Sequence, residues 1–328
     1  MASKGNKYLD PIAYGALYGL VGLISLIPFH TGQWFGRTFG RGFAGILGGR
    51  IKVSLDNLRH VYGDERSELE LKELNARVLM HFAQMIFEAP HILRLKHSNL
   101  KKYVVFENSE NFLSAIKKGK GTFILTGHLG NWELMSAAVT LRFAAKGAVI
   151  ARPIDFLPAD RLMRKLRARF GNEIIPKQRA MRRVLQAAKE NMAIGFLMDQ
   201  NVDWYEGVFV RFLGRTACTN KGMALLALRT GTPVIPMFSA RQEDGRYCIT
   251  FGREVALVRT GDKTRDLEEN TQLFSEIIET YVRKHPDQWF WFHRRWKTKP
   301  YCPLPEGYYP NRTNAEIENK LNSRLMGR

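Results

Sequence analysis

The chain has 328 residues, 45% of them hydrophobic and 25% charged, which excludes a disordered or low-complexity protein and leaves ample length for a buried core. Its 50 Lys and Arg outnumber 31 Asp and Glu, giving a formal net charge of +19. So basic a protein is built to meet something anionic: nucleic acid, an acidic protein or a phospholipid surface.

From Pro11 to Phe29 the sequence PIAYGALYGLVGLISLIPF carries no charge, close to the roughly 20 apolar residues a bilayer span needs. No small-x-small cleavage site follows it and no polar face interrupts it, so a secretory signal and a core helix both fit poorly. The expectation is an N-terminal membrane-anchoring helix, spanning or interfacial, within an anchor of residues 1–36. Arg37, Arg41, Arg50, Lys52 and Arg59 follow it, against Lys4 and Lys7 before. By the positive-inside rule the remainder, residues 37–328, stays in the cytoplasm. Trp34, Phe35, Phe39 and Phe43 interleave with arginines as an element lying on anionic headgroups would.

Residues 68–97 read as a helix with Leu69, Leu74, Val78, Leu79, Phe82 and Ile86 on one face, and with His81 and His91 as structural residues. Beyond it, short β-type runs near 103–106, 122–126, 148–151, 193–198, 234–238 and 247–251 alternate with helical stretches. That alternation predicts an α/β domain with a mostly parallel central sheet flanked by helices. No linker-like stretch divides residues 60–300, so one catalytic domain is expected. Cys218, Cys248 and Cys302 show neither metal-ligand spacing nor a disulfide framework, as in a reducing compartment.

The run Thr122-Phe-Ile-Leu-Thr ends in Gly127 and His128, with Glu133 five residues further on at the start of a helical stretch. A strand ending at Thr126 places His128 at the sheet's carboxyl edge, where α/β folds bind ligands. Glu133, in the first turn of the next helix, could reach one imidazole nitrogen and stabilise the imidazolium formed when the other takes a proton. No serine or cysteine stands beside the pair, so the nucleophile would be a hydroxyl of the substrate.

Between Lys146 and Lys189 lies a strongly basic segment that includes Arg152, Arg167, Arg169, Arg179, Arg182 and Arg183. Many of these belong to solvated faces; arginines in a site would grip phosphate through their planar forks. Asp199-Gln200 closes the next apolar run. Near the C-terminus, Gln288-Trp-Phe-Trp-Phe-His-Arg-Arg-Trp-Lys-Thr-Lys-Pro300 interleaves aromatic and basic residues, a pattern also met in single-strand nucleic-acid binders; the favoured expectation is a packed element whose arginines face membrane or substrate.

Gly127-His-Leu-Gly-Asn-Trp-Glu133 resembles the His-x4-Asp/Glu motif of the lysophospholipid acyltransferase superfamily, and more specifically that of the bacterial lipid A late acyltransferases. Arg152-Pro-Ile-Asp155, Arg167-Ala-Arg169-Phe-Gly, Asp199-Gln200 with Gly207–Gly214, Thr232-Pro-Val-Ile-Pro236 and the C-terminal aromatic block resemble that family's further blocks, in order, from about 102 to 300. Glu133 stands where many superfamily members have Asp. The resemblance implies transfer of a fatty acyl group from acyl carrier protein to a hydroxyl of a phosphorylated lipid A precursor. His128 and Glu133 would be catalytic, and Arg152, Arg167, Arg169, Asp199 and Gln200 substrate-binding. No cofactor is implied. A lysophospholipid or mannosylated glycolipid acceptor is the alternative within the same chemistry. A membrane-tethered nucleic-acid-binding protein would leave the ordered blocks unexplained, so nucleic acid is not expected as a partner.

Overall fold

A computed structural model describes residues 9–43, 48–178 and 180–300. Lys4, Lys7, Arg179 and Cys302 lie outside them. Four helices come first: α1 (Leu9–Ile24), α2 (Phe29–Phe39), α3 (Gly49–Tyr62) and α4 (Glu68–Glu88). Then follow β1 (Val104–Glu107), α5 (Ser109–Lys117), β2 (Thr122–Thr126), α6 (Trp132–Phe143), β3 (Gly147–Ala151), α7 (Leu157–Arg167), β4 (Glu173–Pro176), α8 (Ala180–Lys189) and β5 (Ala193–Leu197). The last part holds β6 (Gly207–Phe212), β7 (Arg215–Asn220), α9 (Gly222–Thr230), β8 (Val234–Arg241), β9 (Tyr247–Phe251) and α10 (Lys263–Lys284).

Seven strands form one sheet in the order β1-β9-β8-β2-β5-β3-β4, and β6 and β7 form a separate antiparallel hairpin. Every neighbouring pair in the large sheet is parallel except β8 with β9. β2, at the centre, is buried at every residue, as a strand covered by helices on both faces must be. One core cluster takes Phe123 and Leu125 of β2 with α8, α9, α10 and the tryptophans of 289–296. The other takes Ile124 with α5, α6 and α7. The expected mostly parallel α/β sheet is present, with β4 and the hairpin as additions. The helix expected over 68–97 ends at Glu88, opened by a Ser67–Glu70 capping box, and its Leu69 and Ile86 are exposed.

The uncharged run at the N-terminus is not one helix. α1 stops at Ile24, the chain turns through Ser25–Pro28, and α2 leaves at 110° to α1. Pro28 supplies the reason, because it lacks an N–H and disfavours helical backbone at the residue before it. No single helix among the described residues is long and apolar enough to cross a membrane; only the bent pair α1 and α2 reaches that composition together. α2 lies close against α4, where Gly36 faces the backbone of Gln84 with no room for a side chain. α1 is anchored on α7 by Tyr18, whose ring receives the Lys165 ammonium at 4.1 Å. The opposite side of the pair shows Ile12, Leu20, Leu23, Leu26, Trp34 and Phe39 to solvent.

Candidate active site

The fully buried β2 delivers His128 to the carboxyl edge of the sheet, and β5 does the same for Asp199. Thr126 pairs with Leu197 in register, so two further residues along each parallel strand bring His128 and Asp199 side by side. Gly127 permits this: a Cβ there would sit 3.0 Å from the Asp199 carboxylate. The His128 Nδ1 lies 2.8 Å from Asp199 Oδ1, and the His128 backbone N–H donates to Oδ2 at 2.7 Å. The indole N–H of Trp289 donates to the same Oδ2 at 2.7 Å.

Asp199 is 2% exposed. Burial alone would push its carboxyl up, but the His128 charge and the hydrogen bonds from His128 and Trp289 outweigh that and bring it down to about 2. An ionised Asp199 fixes the proton of a neutral His128 on Nδ1 and leaves Nε2 as the acceptor. Nε2 faces the Gln200 side-chain amide at 3.4 Å.

The catalytic loop is held from behind. The Phe290 N–H donates to the His128 carbonyl at 3.0 Å and the Gly130 N–H donates to the Gln288 carbonyl at 2.9 Å. Gly130 has φ +60° and its would-be side chain would run into the Ser239 carbonyl, so only glycine fits. Asn131 caps α6 by accepting from the Leu134 N–H at 3.0 Å and donates to Glu88 at 3.1 Å. Glu88 is fully buried and also accepts from Gln33, Arg241 and Tyr247 at 2.9, 2.7 and 2.7 Å. His81, expected to be structural, donates to the Gly130 carbonyl and accepts from Arg241.

Glu133 does not make the pairing expected for it. Asp199 holds Nδ1, and no hydrogen bond joins Glu133 to either imidazole nitrogen. Glu133 instead accepts a two-pronged bond from Arg167, at 2.9 Å from Nε and 2.5 Å from Nη2, and a bond from the Trp132 indole at 3.2 Å. Arg167 thus stands at the site as expected, but paired.

These groups open onto a cavity of about 710 Å³ whose walls include His128, Trp132, Glu133, Arg152, Arg167 and Gln200. Deeper in, Phe112, Ile124, Met135, Val139 and Met237 make the lining apolar. Arg152 sits at the wall with a largely exposed side chain, 3.2 Å from Asp155. Arg169 does not reach the cavity: it is exposed, its guanidinium 5.4 Å from the Phe170 ring, because the turn after α7 carries it outward. Asp199 lies behind His128 rather than on the wall, so it acts on substrate only through the imidazole.

The C-terminal aromatic block packs inward. Trp289, Trp291 and Trp296 are buried. Its arginines were expected to face membrane or substrate; Arg294 is exposed, but Arg295 is fully buried. Arg295 donates to the Gln200 and Cys218 carbonyls at 3.3 and 2.8 Å and to the Thr219 hydroxyl, and burial pushes it down to about 10. It thereby braces the Asp199-Gln200 segment.

The sequence profile of the bacterial lipid A biosynthesis acyltransferases matches residues 2–298. The chain belongs to that family. A lipid A biosynthesis acyltransferase of Haemophilus influenzae is 23% identical over 89% of this chain and 91% of its own. The Escherichia coli lipid A biosynthesis lauroyltransferase is 21% identical over 86% and 90%. A phosphatidylinositol mannoside acyltransferase of Mycolicibacterium smegmatis is 22% identical over 73% and 77%. In this acyltransferase the His128 Nε2 is the basic atom presented to the cavity, and the apolar interior behind it suits a hydrocarbon chain.

Proposed function

We propose that this acyltransferase moves a fatty acyl group from an acyl carrier protein thioester to a hydroxyl of a phosphorylated lipid A precursor, at the cytoplasmic face of the inner membrane. The observation that carries the reading is the Asp199-oriented His128 at the mouth of an apolar cavity. His128 Nε2 takes the proton of the acceptor hydroxyl as its oxygen attacks the thioester carbonyl. Collapse of the tetrahedral adduct breaks the carbon–sulfur bond, and the thiolate takes the proton back from the imidazolium. Such base catalysis is worth about 10²–10⁴-fold. Gln200, whose side-chain amide lies 3.4 Å from Nε2, stands beside the reacting groups. Arg152 at the mouth, and the N–H groups of Arg167 not used by Glu133, supply the phosphate contacts. The exposed apolar residues of α1 and α2 rest in the membrane interface, with Arg37 toward anionic headgroups.

The likeness to a phosphatidylinositol mannoside acyltransferase keeps a mannosylated glycolipid acceptor as a second reading of the same chemistry. Mass spectrometry of lipid A from cells with and without the protein separates the two. Loss of one acyl chain from lipid A supports the first; unchanged lipid A with an altered glycolipid fraction overturns it in favour of the second.

A further inference from the structure

One wall of the cavity beside His128 carries polar groups. Along α6 its lining includes Met135, Ser136, Val139 and Thr140, with Ala145 and Asn172 on the same wall. Thr140 Oγ1 donates to Asn172 Oδ1 at 2.7 Å, and Asn172 Nδ2 donates to Ser136 Oγ at 3.2 Å. Thr140 and Asn172 are 8% and 5% exposed. Asn172 can seat here only because Gly147 has no side chain; a Cβ there would overlap its amide oxygen. A second cavity of about 520 Å³, walled by Phe170 and Met192 but also by Lys146, Glu173, Arg183 and Glu190, shares Thr140 and Ala145 with the first.

A hydrogen-bonded partition between two cavities limits how far a chain lying along α6 can run. We propose that Thr140 and Asn172, bonded across the cavity floor with Ser136, form a plug that sets the longest acyl chain the enzyme accepts. A methyl end reaching the plug stays in apolar surroundings up to Val139. A longer chain must break these bonds and leave buried polar groups unpaired, which is disfavoured more strongly than lost apolar contact. From Glu133 to Thr140, α6 rises about 10 Å at ~1.5 Å per residue. That distance holds about eight methylenes at ~1.3 Å each, the projection of a ~1.5 Å carbon–carbon bond along an extended chain. The carbons between the reacting carbonyl and the level of Glu133 add to these, so the channel selects a medium-length saturated chain. This inference rests on the acyl-transfer reading and deepens it.

The test uses the full-length protein, a phosphorylated lipid A precursor and an equimolar series of even-chain saturated acyl carrier protein thioesters, with products weighed by mass spectrometry. Opening the plug with Thr140→Ala and Asn172→Ala joins the two cavities. The preferred chain should lengthen by at least one two-carbon step, with kcat/KM for the longer donor rising about tenfold relative to the wild-type preference. Val139→Phe fills the channel short of the plug and should shorten the preferred chain. If the plug variant does not fold, Val139→Phe decides alone. Variants that transfer acyl groups with the wild-type length profile overturn the plug while leaving the acyl-transfer reading intact. A wild type that transfers no chain of any length overturns both.

Discussion

The Nδ1 of His128 and the Oδ1 of Asp199 meet at 2.8 Å although the residues are 71 apart in sequence. Their meeting is a property of the sheet: β2 and β5 are parallel neighbours, and equal overruns past a paired position land beside each other. The acid that follows the histidine in sequence, Glu133, pairs with Arg167 instead.

His128→Ala removes the base and should abolish transfer. It also removes the imidazole partner of a carboxylate that is 2% exposed, which should cost about 1–3 kcal/mol of stability. Asp199→Asn added to it should recover part of that loss, since the buried charge goes with it. Denaturant unfolding of the two variants measures this; a double variant less stable than His128→Ala alone would contradict it.

Asp199 gives the fold a specific acid response. Its carboxyl titrates at about 2 when folded against about 3.9 in an unfolded chain. The folded value is the lower, so the stabilisation is fully present above about pH 4 and is lost as pH falls through 4 toward 2. For a shift of that size it amounts to about 2–3 kcal/mol. Asp199→Asn should flatten this part of the stability–pH curve, measured by unfolding at a series of pH values.

Glu133 and Arg167 form a pair with side chains 10% and 21% exposed. Removing either charge strands the other, so Glu133→Gln and Arg167→Ala should each cost about 2 kcal/mol, and the double variant much less than their sum. Calorimetric unfolding measures the coupling. Additive costs would mean that the pair is not an energetic unit.

Membrane attachment should depend on the open side of α1 and α2. Leu20→Gln, Leu23→Gln and Trp34→Gln each remove about 1–2 kcal/mol of apolar insertion. Together they should release the protein from anionic phospholipid vesicles in high salt, read by co-sedimentation. The buried Trp289, Trp291 and Trp296 cannot substitute as an anchor. Retention of the triple variant would place the membrane contact on another surface.

The structure describes two of the three arginines Arg179, Arg182 and Arg183 of the basic segment. Arg183 is committed to Glu173 and Glu190, and Arg179 lies outside the described residues. Arg182 remains exposed.

Much of the fold was legible. The six apolar β-type runs are six strands of the main sheet, because their β-branched and aromatic residues have no helical period. β4 escaped notice inside a basic segment where Glu173 and Pro176 mask two apolar residues. Pro28 marked the helix break in the sequence itself, yet an uncharged run reads as continuous when only charge is followed. His128 and the Asp199-Gln200 element were both visible at strand ends. What linear spacing could not show was that β2 and β5 are neighbours, so the nearby Glu133 drew the role that register gives to Asp199. The C-terminal block reads as a packed element and is one; that Arg295 turns inward with its tryptophans was hidden, because a basic string does not say which of its side chains face the core.

In the proposed mechanism Asp199, through His128, drives acyl transfer while Glu133 supports the site through Arg167. Turnover of an acyl carrier protein thioester with the lipid A precursor, measured side by side for Asp199→Asn and Glu133→Gln, tests it most directly. Asp199→Asn should lower kcat by about 10²–10⁴-fold at an unchanged donor KM, and Glu133→Gln should lower it less and act mainly on acceptor KM. A Glu133→Gln enzyme crippled in kcat beside an Asp199→Asn enzyme near wild type would contradict the account.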